Sequence, residues 1–180
     1  MALYKKSELK AKALNKSLTK SMAEDRFVRG LITLNESSNF DVFLSHRYLD
    51  ADEIAILADE LRGEGLSVYI DWQVDKGLDR GKVTIKTAEI LRKRMKQSKS
   101  LIFITSQNSS DSKWMPWELG FMDARTSRVA ILPVVDDNST SYQGQEYLGL
   151  YPYISKTGTT ILVNDPQTGA QKTIRHWLMP

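Results

Sequence analysis

Two hydrophobic periods alternate along this chain, one suited to strands and one to helices. Phe40-Asp41-Val42-Phe43-Leu44 is a short apolar run. Between Asp52 and Arg62, Ile54, Leu57, Ala58 and Leu61 recur every three or four residues, and Gly63 and Gly65 follow. The first segment predicts a strand, the second an amphipathic helix ended by glycine. The alternation then repeats. Residues 67–70 are short and apolar, residues 71–81 form a polar loop with two glycines, and residues 82–96 carry a stripe of Ile85, Ala88, Leu91 and Met95. Leu101-Ile102-Phe103-Ile104 is unbroken apolar sequence, as in the centre of a parallel sheet. A helix is predicted from about residue 116 to 126, strands at 129–135 and 160–163, and a last helix at 173–179.

Strands alternating with helices predict βαβ units, right-handed crossovers and a parallel sheet covered on both faces. The expected fold class is α/β, a flavodoxin-like sheet of five parallel strands in the order 2-1-3-4-5. Ligands then sit at the carboxyl ends of strands 1 and 3, where the strand order reverses. Ahead of this unit, residues 4–34 read as helix, with Leu14, Leu18 and Met22 four apart. Gly30 interrupts the pattern, and Asn35-Glu36-Ser37-Ser38-Asn39 is a polar break. The expected organisation is a basic helical arm over residues 1–36 and one domain over residues 37–180. The arm reads either as a partner-binding or anionic-surface helix, or as a solvated helix lying on the domain or a frayed terminus.

Composition narrows the function. The chain has 180 residues, 41% hydrophobic and 26% charged, which fits one globular domain with a short extension. The net charge of +3 is uneven: residues 1–36 hold eight Lys/Arg against four Asp/Glu, so the rest is close to neutral. That argues against a nucleic-acid-binding body, which needs a basic face. Cysteine is absent, excluding disulfides and thiolate chemistry, and two histidines, His46 and His176, leave little basis for a metal centre. No apolar run has the length of a membrane span, and no secretory apolar segment opens the chain. The expectation is a soluble, cytoplasmic protein with no membrane contact.

Topology delivers polar residues to one edge. Ser45, His46 and Arg47 follow strand 1, Asp71 and Trp72 follow strand 2, and Trp114 and Glu118 come after strand 3. Neither glycine-rich phosphate loop, G-x-G-x-x-G or G-x-x-x-x-G-K, occurs. Glu118 lies in the first turns of its helix, near Pro116, where the helix dipole favours a carboxylate. Trp114 and Phe121 lie four residues before and three after it, on one side. Two readings stand: a carboxylate flanked by rings that clamps a cationic or sugar-like group, or core aromatics (Trp114, Trp117 and Phe121) beside a solvated or dipole-stabilising carboxylate. Arg47 reads as a grip on phosphate or carboxylate, or as a surface ion pair. His46 reads as a packed loop histidine or a catalyst, and Asp71 as a ribose contact or a turn residue.

The segments FDVFLSHRYLDAD, LADELRGEGLSVYIDWQVDKG and SKSLIFITSQNSSDSKWMPWELGF together resemble a TIR (Toll/interleukin-1 receptor) domain, over about residues 39–178. The resemblance implies the flavodoxin-like fold. It also implies one of two functions, because some members are interaction modules and others cleave NAD+. The NAD+-cleaving members share W-x-x-x-E at the third helix, here Trp114-Met115-Pro116-Trp117-Glu118. By that resemblance Glu118 is the catalytic residue. Ser45, His46, Arg47, Asp71, Trp72 and Trp114 form the substrate site. No metal or cofactor is implied, NAD+ being the substrate. The implied activity is that of an NAD+ glycohydrolase or cyclase in bacterial antiviral defence or signalling, acting through TIR–TIR self-association with an effector or sensor protein. The alternatives are a non-catalytic adaptor module and a nucleoside deoxyribosyltransferase-like enzyme.

Overall fold

A computed structural model describes residues 2–18, 38–47, 51–75, 78, 84–106, 112–141 and 146–179. Strands β1 (Tyr4–Lys5), β2 (Phe40–Ser45), β3 (Val68–Tyr69), β4 (Ser98–Thr105), β5 (Val129–Val135), β6 (Tyr153–Thr157), β7 (Thr160–Asn164) and β8 (Gln171–Thr173) form one sheet. The helices are α1 (Lys6–Leu18), α2 (Ala51–Gly63), α3 (Asp71–Val74), α4 (Ile85–Lys96), α5 (Trp114–Thr126) and α6 (Ile174–Leu178), with a 3-10 turn at Glu146–Leu150.

The sheet order is β3-β2-β4-β5-β6-β7-β8. The first five of these pair in parallel, which is the expected α/β core with its reversal between β2 and β4. Successive strand residues point to opposite faces. Phe43, Leu101, Phe103, Val129 and Ile131 therefore pack under α4 and α5. Val42, Leu44, Ile102, Ile104, Ala130 and Leu132 pack against α1, α2 and α6.

α2 ends as its glycines predict. Leu66 N–H donates to Leu61 O (3.3 Å) and Gly65 N–H to Arg62 O (2.9 Å), with Gly65 at φ +79°. This is a Schellman cap, and the left-handed residue it needs is the glycine. α5 begins two residues earlier than predicted. Ser112 Oγ accepts the Met115 N–H (3.2 Å), and Pro116 falls in the first turn, where no intrahelical bond is lost.

The structure corrects the far edge of the sheet. The strand predicted at 160–163 is not the parallel neighbour of β5; β6 takes that place, and β7 runs antiparallel to β6. The reason is a two-residue turn, Gly158-Thr159, between paired Thr157 and Thr160, with Gly158 at φ +59°. A connection that short permits only an antiparallel hairpin.

Two predicted stripes are also corrected. Ile85 is 81% exposed, while Thr87, Leu91, Arg94 and Met95 form the buried side of α4. In α1, Leu14 is 64% exposed, and Leu9 with Ala13 faces the core. β1 sets this rotation: Tyr4 pairs with Val134 of β5, its side chain is fully buried, and the helix starts two residues later. Ala2 is bridged to Lys156, and Lys12 and Lys16 pair with Glu60 and Asp59 of α2. Residues 2–16 thus lie on the domain. Beyond Leu18, the predicted arm helix and the boundary at residue 36 lie outside the described residues.

Candidate active site at the carboxyl edge of the sheet

β2 delivers two neighbouring residues to opposite faces of the sheet. Ser45 points as Phe43 does, toward α5, and His46 follows Leu44 toward the α2 side. Each meets a carboxylate. Ser45 Oγ donates to Glu118 Oε2 at 2.6 Å, and both side chains have 0% exposure. A buried carboxylate is tolerated only where hydrogen bonds replace water, and this short charge-assisted bond is one of them. The carboxylate also lies in the second turn of α5, within the favourable field of the helix N-terminus.

On the other face the His46 ring is held through Nδ1. Nδ1 lies 2.7 Å from Leu44 O, and because a carbonyl only accepts, Nδ1 is the donor. Nε2 lies 3.4 Å from Asp71 Oδ1. That same oxygen accepts the Trp72 backbone N–H at 2.7 Å. The Trp72 ring meets the imidazole edge-on, centroids 4.5 Å apart. His46 and Asp71 are buried, and Trp72 and Arg47 are half-buried.

The structure therefore separates the predicted residues into two groups that meet at consecutive positions of one strand end. Glu118 with Ser45 is the first, and His46 with Asp71 and Trp72 the second. Trp114 is buried with Trp117 against it (5.6 Å, T-shaped), and Phe121 lies beyond Trp117 at 6.1 Å. Arg92 covers the Trp117 ring at 5.6 Å. These rings pack into the core beneath α5, as one of the two sequence readings has them. The carboxylate is enclosed rather than solvated, and its place near the helix N-terminus fits the dipole-stabilising form of that reading.

A third group was not anticipated. Asp75, at the end of α3, accepts Arg94 Nε (2.9 Å), Arg94 Nη2 (2.7 Å) and the Tyr69 hydroxyl (2.8 Å). Burial, then the charge of Asp75, pushes the Tyr69 hydroxyl far above its ordinary pKa. This clamp ties the segment after β3 to α4. Its only sequence signal is a buried position for an arginine on the stripe of α4. A cavity of about 460 Å³ lies elsewhere, between β1, β6 and residues 139–141, and none of the candidate residues lines it. Among the described residues no group of three or more His, Asp or Glu side chains can hold a metal ion. Among them, too, no helix is long and apolar enough to cross a membrane.

The TIR domain family profile matches residues 42–165. The chain belongs to the TIR domain family. A Bacillus cereus (strain MSX-D12) protein named as a probable 3′ cyclic ADP-D-ribose synthase, ThsB′, is 56% identical over 123 residues, 68% of this chain and 63% of the relative. A Cytobacillus dafuensis protein, provisionally named cyclic ADP-D-ribose synthase TIR2, is 36% identical over 83 residues, 46% of this chain and 22% of the relative. This TIR chain thus matches less than two thirds of the length of either relative.

Proposed function

We propose that this TIR domain cleaves NAD+ at the nicotinamide–ribose bond, releasing nicotinamide and forming ADP-ribose or a cyclic ADP-ribose isomer, in bacterial defence or signalling. The observation that carries this reading is Glu118, a fully buried carboxylate bonded to Ser45 where open α/β sheets bind their ligands.

The chemistry suits so sparse a site. Nicotinamide leaves as a neutral molecule from a cationic pyridinium, so the reaction needs no general acid and no cofactor. What develops is an oxocarbenium-like ribose, and a preorganised carboxylate in a low-dielectric site stabilises it electrostatically. Ser45 holds one carboxylate oxygen and thereby orients the other. Trp114, Trp72 and Arg47 would contact the substrate once the site opens. Water as acceptor yields ADP-ribose; a hydroxyl or ring nitrogen of the adenosine half yields a cyclic isomer. The names of both relatives favour an internal acceptor. Because Glu118 has no exposure in the single chain, the reaction begins with its uncovering, which we assign to TIR–TIR self-association. A cytoplasmic location follows from the substrate.

The test is incubation of concentrated protein with NAD+ and chromatographic detection of free nicotinamide. Wild-type protein releases it, and Glu118→Gln slows release by at least about 100-fold, the loss typical of one electrostatic stabiliser. Equal rates remove Glu118 from the reaction. No release at all, at concentrations where the chain self-associates, leaves a non-catalytic interaction module.

A further inference from the structure

The second group of buried residues has a use in the same reaction. His46 and Asp71 are buried and face one another on the side of β2 away from Glu118. Their position relative to Ser45 is specific. The His46 ring folds back onto the carbonyl of Leu44 at 2.7 Å, so the hydrogen bond closes around the backbone of the residue between them, Ser45. Asp71 Oδ1 lies 3.4 Å from the other ring nitrogen. Asp71 Oδ1 accepts the Trp72 N–H at 2.7 Å, and the Trp72 ring packs edge-on against the imidazole. Ser45 is the last residue of β2, paired with Phe103 of β4, and the residue after it lies beyond the ladder. Its χ1 and backbone must nevertheless hold a 2.6 Å bond to Glu118.

We infer that His46 is a positioning residue for the candidate catalytic carboxylate: its imidazole, bonded to Leu44 O and packed against the Trp72 ring, brackets Ser45 and so aims the Ser45 hydroxyl at Glu118. The inference rests on the NAD+-cleavage reading for its catalytic consequence, and on geometry alone for its structural one. Misplacement of a supporting donor by a fraction of an ångström lowers turnover without removing substrate contacts. The loss therefore falls on kcat and leaves KM within about twofold.

Two measurements test it. The first is a double-mutant cycle on nicotinamide release. His46→Phe fills the volume and lacks the Nδ1–H donor; it lowers kcat about tenfold. His46→Asn, whose amide nitrogen takes the place of Nδ1 toward Leu44 O, restores most of that loss. Placed on Ser45→Ala, His46→Phe has no further effect, because the hydroxyl it aims is gone. Losses that multiply, or a His46→Asn variant as slow as His46→Phe, overturn the proposal. If His46→Phe does not fold, His46→Gln replaces it, since it reaches Asp71 and cannot bracket Leu44 O. The second measurement is the crystal structure of the same variant, in which Ser45 Oγ leaves Glu118. An intact contact near 2.6 Å overturns the proposal whatever the activity. If wild-type protein releases no nicotinamide yet the variant structure shows the broken contact, the NAD+ reading falls and the positioning role stands.

Discussion

Asp41 shows how single residues at the opposite, amino edge of the sheet tune stability. Burial alone would raise its carboxyl pKa, but Lys99 Nζ at 2.7 Å and the Ser67 N–H and hydroxyl outweigh it and hold the group below the usual aspartate range. A depressed folded value stabilises the protein fully above the unfolded value near pH 3.9, and that stabilisation is lost as pH falls through the lower folded value. Lys99→Met moves the folded value back up. Urea unfolding midpoints should then match wild type more closely at pH 3 than at pH 6, with the variant weaker at pH 6. Lys99 is more than half exposed, so added salt shrinks the difference.

At the scale of elements, the two ends of the helices that use left-handed backbone make opposite predictions. Gly65 at φ +79° completes the cap of α2. Gly65→Ala forces a Cβ into that conformation and costs about 1–2 kcal/mol. A contact of 3.6 Å between the added Cβ and Arg175 is ordinary, so the backbone and not crowding carries the penalty. Ser127, at φ 49° after α5, is a non-glycine residue in the same region. Ser127→Gly relieves it, and thermal denaturation should show the midpoint up by about 2–4 °C for each kcal/mol gained. α5 carries Glu118 in its second turn, so the second change falls at the end of the helix remote from the site. Nicotinamide release by Ser127→Gly should equal that of wild type.

At the scale of the whole molecule, the N-terminal segment belongs to the core. Tyr4 and Leu9 are both fully buried, and Lys156 lies over the Tyr4 ring at 4.9 Å. The Tyr4 hydroxyl has no hydrogen-bond partner among the described residues. Burial, and next to it the charge of Glu60, raises its pKa far above the ordinary value. Leu9→Ala leaves a cavity between α1 and the sheet and should cost about 2–5 kcal/mol in chemical denaturation. Leu14→Ala, at a site 64% exposed on the same helix, should change stability by less than about 0.5 kcal/mol. If both changes cost the same, the helix is docked in another rotation.

Local pattern was enough for the strand–helix alternation, the glycine stop of α2, the parallel order of the first four core strands and the edge to which the polar residues are delivered. Each depends on neighbours within a few residues, or on the near-universal handedness of βαβ crossovers. Resemblance pointed to Glu118, Ser45, His46 and Asp71 as one set without saying which touches which. Tertiary structure decided that Ser45 meets Glu118 across 73 positions of sequence. It sent His46 to the other face, placed the hairpin of β6 and β7 at the far edge, and docked β1 against β5. Those outcomes depend on which distant groups can satisfy a buried charge or an unpaired strand edge. No window of sequence contains both partners of such a bond.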